Sequence, residues 1–274
     1  MKLNATFRLL VSPLMIAISG GLRLYVAFLL VGSTPIIPLC IAAVLIVYAT
    51  YTLDRTVKTK EDEINRREEE EADRHVGIGV VVISLVIAIL ILIKMHVSIF
   101  IAFFPFFMGF IYSRGIKIGK FKLSLKRGYG IKNIVVAFTW AFTTCVLIYK
   151  WTETFFQLLL VFAFFFLKSF INSVICDCRD IKGDLAAGLT TIPIYLGEKR
   201  TRKILQILHF VFHLTAITLV LLNIIELETI ILVYSWIFGM IYIWLYANSK
   251  KTVFRTVAVH GEWAYILAFR RLTI

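Results

Sequence analysis

The feature that most constrains this chain is a succession of apolar blocks, each roughly twenty residues long, separated by short charged loops. A helix of that length crosses the hydrocarbon core of a bilayer, where each backbone N–H and C=O must find its partner within the protein. Membrane barrels meet the same demand with short alternating segments, and the sequence lacks that pattern. Composition agrees, with 59% hydrophobic residues, 17% charged residues and a mean hydropathy of +0.85. The opening stretch MKLNATFRLLVSPLMIAISGG has the layout of a signal peptide, but no mature soluble sequence follows it. It is read as the first membrane-associated segment. The expected fold is therefore all-α: a polytopic bundle forming a single domain over residues 1–274.

Candidate spans are 10–32, 36–53, 77–94, 96–113, 133–149, 154–174, 204–223, 228–247 and a short ninth near 256–270 that carries His260 and Glu262. The formal charge of +13 would suit a nucleic-acid binder, but its distribution argues otherwise. Threading the spans alternately gathers Lys2, Arg8 and the loops 54–76, 114–132, 175–203 and 250–255 on one side. Basic loops collect on the cytoplasmic side, so that side is expected to be cytoplasmic. Cys40, Cys145, Cys176 and Cys178 form no C-x-x-C pair, and no disulfide or zinc site is assigned to them.

The acids are concentrated too. Of 17 Asp and Glu residues, nine lie between Asp54 and Asp73 and four between Asp177 and Glu198. Each group follows an even-numbered span on the same side. The pattern reads as two pseudo-repeated halves whose acidic edges face one central cavity, a plan of about nine helices.

The second acidic edge, NSVICDCRDIKGDLAAGLTTIPIYLG from Asn172 to Gly197, is the more specific one. Asp177, Asp180 and Asp184 stand at i, i+3 and i+7, one face of a helix. Carboxylates that close repel one another unless a cation sits among them. Oxygen ligands grouped this way suit Mg²⁺, which keeps several waters and often bridges to substrate phosphates. In the first edge, Asp54, Asp62 and Asn65 share a face if the helix continues beyond the membrane, and the run Glu68 to Glu71 reads as a solvated loop face.

Other candidates carry a bland reading beside a functional one. The loop 114–132 is rich in Lys and Arg, as topology determinants or contacts to anionic lipid would be. Lys126 and Lys132 are the residues chosen from it to close over a diphosphate. Arg23, inside the first span, either reaches that diphosphate or an acid of the first edge, or belongs to a structural ion pair. Lys168 snorkels toward the cytoplasmic side on this reading. His209 and His213, at i and i+4, have a metal-binding spacing but no third ligand in view, so they are read as polar helix contacts. The many phenylalanines suit either bundle packing or the lining of a tunnel for an isoprenoid chain.

The run Asp177 to Gly197 resembles the second aspartate-rich motif of the UbiA superfamily of intramembrane prenyltransferases. Tyr112–Ser113 before the basic loop, and Lys132–Asn133 after it, resemble that family as well. The family's first motif is N-D-x-x-D-x-x-x-D followed by an Asn. Aligning that Asn with Asn65 puts Asp62 on the last Asp, Lys58 on the middle one and Asp54 on the leading Asn. The resemblance implies Mg²⁺-dependent transfer of a prenyl group from a polyprenyl diphosphate to a lipophilic, aromatic, quinone-precursor-like acceptor in the membrane. It implies Asp54, Asp62, Asp177, Asp180 and Asp184 at the metal. Arg23, Asn65, Tyr112, Lys126, Lys132 and Asn172 are assigned to the diphosphate, and Asp54 or Glu61 to orienting or deprotonating the acceptor. The competing expectations are a terpene cyclase on the same scaffold, or a non-catalytic carrier of an anionic lipid.

Overall fold

The computed structural model describes residues 2–56, 73–114, 116–118, 121–123, 130–186, 188–248 and 259–273. Helices dominate it. In chain order they are α1 (Lys2–Val11), α2 (Leu14–Leu30), α3 (Ile37–Thr56), α4 (Arg74–Lys94), α5 (Phe100–Arg114), α6 (Ile131–Ile148), α7 (Phe155–Ala186), α8 (Ile192–Leu196), α9 (Glu198–Leu221), α10 (Thr229–Asn248) and α11 (Glu262–Thr273). A short antiparallel hairpin, β1 (Ile116–Ile118) with β2 (Phe121–Leu123), pairs Ile116 with Leu123 and Ile118 with Phe121. It lies in the basic loop and adds a small strand element to the all-α expectation.

Among the described residues, six helical stretches are long and apolar enough to cross a membrane: Asn4–Leu30, Ile37–Thr56, Arg74–Lys94, Ile131–Trp151, Phe155–Ala186 and Glu198–Leu221. Two shorter apolar helices, Phe100–Ile111 and Thr229–Leu245, match the fourth and eighth expected spans. The first span is interrupted. Pro13 has no N–H to give Leu9 and stands at the start of α2, so the chain changes helix at Ser12–Pro13. Packing follows chain order around a ring: α2 on α3, α3 on α4, α5 on α6, α6 on α7, α9 on α10, α10 on α11, and α11 back on α2.

Small residues let the first two long helices approach closely. A Cβ on Gly20 would fall 2.6 Å from Val47 Cγ2, and one on Gly21 would fall 2.4 Å from Val44 Cγ2. Several hydroxyls inside the spans are satisfied by their own helix: Thr139, Thr143 and Thr144 each donate to the carbonyl four residues back.

The interior also holds a polar seam. Lys168 on α7 and Glu262 on α11 are both fully buried and form an ion pair, and Lys168 Nζ also donates to the Ser235 carbonyl at 3.1 Å. The same ammonium lies 5.6 Å from the Tyr242 ring centroid. His209 and His213, buried beside it, contact α10: His209 Nε2 is 3.2 Å from the Trp236 carbonyl and His213 Nε2 is 3.3 Å from Ser235 Oγ. Their spacing thus serves helix contacts, as expected. Lys168 does not snorkel. A cation at this depth is stabilised by pairing inside the bundle rather than by reaching water, because α11 brings a carboxylate to it.

Gly239 makes room for this seam. A Cβ there would sit 2.1 Å from His209 Nε2 and 2.9 Å from Lys168 Nζ. Gly239→Ala is therefore expected to destabilise the bundle by about 1–3 kcal/mol. Thermal unfolding in detergent micelles checks this, and an unchanged midpoint would refute the close approach.

Candidate functional site

α7 is the helix that makes the site. Its 32 residues extend about 48 Å, well beyond a hydrocarbon core of about 30 Å. The apolar half, rich in phenylalanine, fills the bundle. The last three turns carry Asp177, Asp180 and Asp184 on one continuous helix, as their spacing predicts. The helix stops directly after them: Leu189 N donates to Asp184 O at 2.9 Å and Gly188 N to Leu185 O at 3.1 Å. Gly188 holds φ +70, so the turn is a left-handed glycine cap.

Asp177 is the best-defined member, its side chain only 1% exposed. Both of its oxygens are held by the first turn of α6. Lys132 Nζ donates to Oδ1 at 2.9 Å, and Asn133 Nδ2 donates to Oδ2 at 2.8 Å. The same Asn133 amide reaches Ser173 Oγ at 3.0 Å, one turn earlier on α7. Gly130 sets up this approach. It precedes α6 with φ +71, and a Cβ there would lie 2.8 Å from Ile192 Cδ1 in the segment after the acid row.

Asp180 is partly buried and paired in two-pronged fashion with its neighbour: Arg179 Nε donates to Oδ1 at 2.7 Å and Nη2 to Oδ2 at 2.8 Å. Asp184 is buried. Asn172 is half-buried, and its Oδ1 is shielded from solvent with no hydrogen-bond partner among the described residues. Asn133 Oδ1 is another such oxygen.

From the first acidic edge, Asp54 sits exposed in the last turn of α3. One turn inward, the Tyr51 ring stacks on Trp140 of α6, with centroids 5.9 Å apart and an interplanar angle of 10°. Tyr51 lies within electrostatic reach of Cys176, Arg23 and Asp54. Arg23 lies deeper, its guanidinium carbon 5.9 Å from the Trp263 ring centroid and within electrostatic reach of Tyr51, Tyr242 and Glu262. Arg23 therefore lies beside the polar seam, near Glu262 and Tyr242, rather than among the aspartates. Tyr112 stands in the last turn of α5. Lys58, Glu61, Asp62, Asn65 and Lys126 lie outside the described residues.

Sequence reasoning missed Asn133 as the partner of Asp177 and Glu262 as the partner of Lys168. The first carried a signal, since Asn133 adjoins Lys132 in a motif already singled out. The second carried only the presence of an acid in an otherwise apolar segment.

The chemistry of this donor set can be tested against Mg²⁺. Among the described residues no group of three or more His, Cys, Asp or Glu side chains gathers around one point. Mg²⁺ does not require one, because it binds through one or two carboxylates together with waters and substrate phosphates. Asp177 and Asp184 on α7, with the unpartnered amide oxygen of Asn172 nearby in sequence, offer hard oxygen donors of that kind. The residues fit the ion.

Among the described residues, the fold and site define a helical bundle with several candidate membrane spans, whose longest helix ends in a row of aspartates. The model of the UbiA prenyltransferase family matches residues 14–258, from the start of α2 to just before α11. The chain belongs to that family. Among individually curated proteins, none matches it.

Proposed function

We propose that the protein transfers a prenyl group from a polyprenyl diphosphate to a lipophilic acceptor, an aromatic quinone-precursor-like ring, within the membrane and with Mg²⁺. The observation that carries this reading is the Asp177 carboxylate, buried where an apolar helix leaves the membrane core and held at both oxygens, in a member of this family. The wider plan proposed with it is one domain over residues 1–274, about nine spans in two pseudo-repeated halves around a central cavity, with the acidic edges cytoplasmic. The placement of the basic loops supports that orientation.

In this reading Asp54, Asp62, Asp177, Asp180 and Asp184 hold the metal. Arg23, Asn65, Tyr112, Lys126, Lys132 and Asn172 receive the diphosphate. When bound, Mg²⁺ supplies Lewis-acid neutralisation of charge on the departing diphosphate. Lys132 adds a cation to the same oxygens, stabilising charge that builds as the allylic C–O bond breaks. Asn133 keeps Asp177 in one orientation. Tyr51 and Trp140 cover the space just inside the acidic edges and keep water from the allylic carbon until the acceptor attacks. The ring series Phe138, Phe162, Phe166 and Phe170 runs along α6 and α7 toward the acid row and suits a prenyl chain lying beside it.

Purified protein given geranylgeranyl diphosphate is expected to release diphosphate with Mg²⁺ and to stop with EDTA. A hydrocarbon formed from donor alone would favour a cyclase. Movement of intact donor across vesicles without cleavage would overturn the enzyme reading.

A further inference from the structure

Lys132 is an odd residue for its position. It sits in the first turn of α6, the positive end of the helix dipole, where a cation is disfavoured and where this helix carries no acid. Its side chain is 38% exposed while that of its partner Asp177 is 1% exposed. A buried carboxylate needs a counter-charge, and a solvent-facing ammonium on a flexible four-carbon stem is one that can leave without being stranded. The neighbouring Asn133 is its opposite. It is fully buried, anchored to both Asp177 Oδ2 and Ser173 Oγ, and it carries no charge to repel a cation.

We propose that these adjacent residues divide the work on Asp177: Asn133 is a fixed positioning residue, and Lys132 is an exchangeable counter-ion. Lys132 competes with a divalent cation for Oδ1 and, when displaced, pairs with the diphosphate. This rests on the metal-and-diphosphate reading above and adds to it an order of events. The ammonium and a divalent ion repel each other at a shared oxygen. Lys132 therefore leaves Oδ1 when a divalent ion is held there and can then pair with a diphosphate nearby. The buried acid stays neutralised throughout, and the diphosphate gains a cation only once the metal is seated.

The competition predicts effects of opposite sign from one substitution. In the full-length protein in nanodiscs, Mn²⁺ binding is followed by electron paramagnetic resonance. Inorganic diphosphate binding is followed by calorimetry in saturating Mn²⁺. Lys132→Met is expected to bind Mn²⁺ about three- to tenfold more tightly, because a charge-assisted competitor is gone, and to bind diphosphate about tenfold more weakly. Asn133→Leu is expected to weaken Mn²⁺ binding instead. Lys132→Gln serves as a second variant should the methionine protein fail to fold.

Unchanged or weaker Mn²⁺ binding in the lysine variants would overturn the exchange while leaving the proposed function standing. Tighter Mn²⁺ binding with unchanged diphosphate affinity would overturn the transfer of Lys132 to the anion. No Mn²⁺ binding by the wild-type protein would remove the metal reading itself.

Discussion

Asp177→Ala is expected to lower Mg²⁺-dependent diphosphate release by about a thousandfold or more, while the helical bundle remains folded. The size follows from what the carboxylate would do. One group aimed at charge that develops in the transition state is worth about 10²–10³ in rate, and a metal ligand acts through an ion that serves the whole leaving group. Survival of the fold follows from the surroundings. Lys132, once its bond to Asp177 is lost, is exposed enough to be solvated. Asn133 keeps its bond to Ser173 and loses one hydrogen bond, at a cost of about 1–3 kcal/mol. Circular dichroism and a melting curve beside the release assay separate the two effects. A variant that retained more than a tenth of wild-type release would remove Asp177 from the site. Asp180→Ala should fall in the same direction, since its carboxylate occupies the next turn of the same face.

The other large effect lies in the polar seam. Glu262→Leu should destabilise the bundle by about 3–5 kcal/mol, because it leaves the Lys168 ammonium buried without its carboxylate, though still bonded to the Ser235 carbonyl. The double variant Lys168→Met/Glu262→Leu should recover most or all of that loss, since well-packed apolar residues commonly replace a buried ion pair without penalty. Unfolding midpoints in mixed micelles, compared across the wild-type, single and double variants, give the coupling directly. Additive losses would mean that the pair contributes nothing as a pair.

These two sites show which relations the sequence disclosed and which it did not. Local periodicity was readable. The apolar blocks located the six long helices, although the expected span 154–174 stopped well short of Ala186, and the i, i+3, i+7 spacing put three aspartates on one helix. Residue types were readable as well, since Lys132 and Asp177 were each assigned to the same chemistry. Their contact was not readable, because it joins residues 45 apart and depends on how the glycine at 130 lets α6 meet the segment after α7. Lys168 was misjudged for the same reason. No partner for it stood out in the sequence, so it was read as reaching the interface, whereas its partner lies 94 residues away on a helix the apolar pattern scarcely marks. The interruption of the first span was not anticipated, since 10–32 reads as one span, although Pro13 lacks the N–H that a continuous helix needs.

That separation of 94 residues between Lys168 and Glu262 also bears on how the protein is made. A ribosome adds about 5–20 residues each second, so Lys168 waits roughly 5 to 20 s before its partner is synthesised. During that interval α7 must enter the bilayer with an uncompensated ammonium, at a cost of about 2.5–3.5 kcal/mol on the insertion scale. The leucines and phenylalanines around it return roughly 0.3–0.6 kcal/mol each, enough to commit the helix to the membrane. Insertion of α7 is thus driven by its own composition, whereas its final alignment waits for the last helix. A ribosome that stalled before Glu262 would leave a fully inserted chain with its central charge still exposed to quality control.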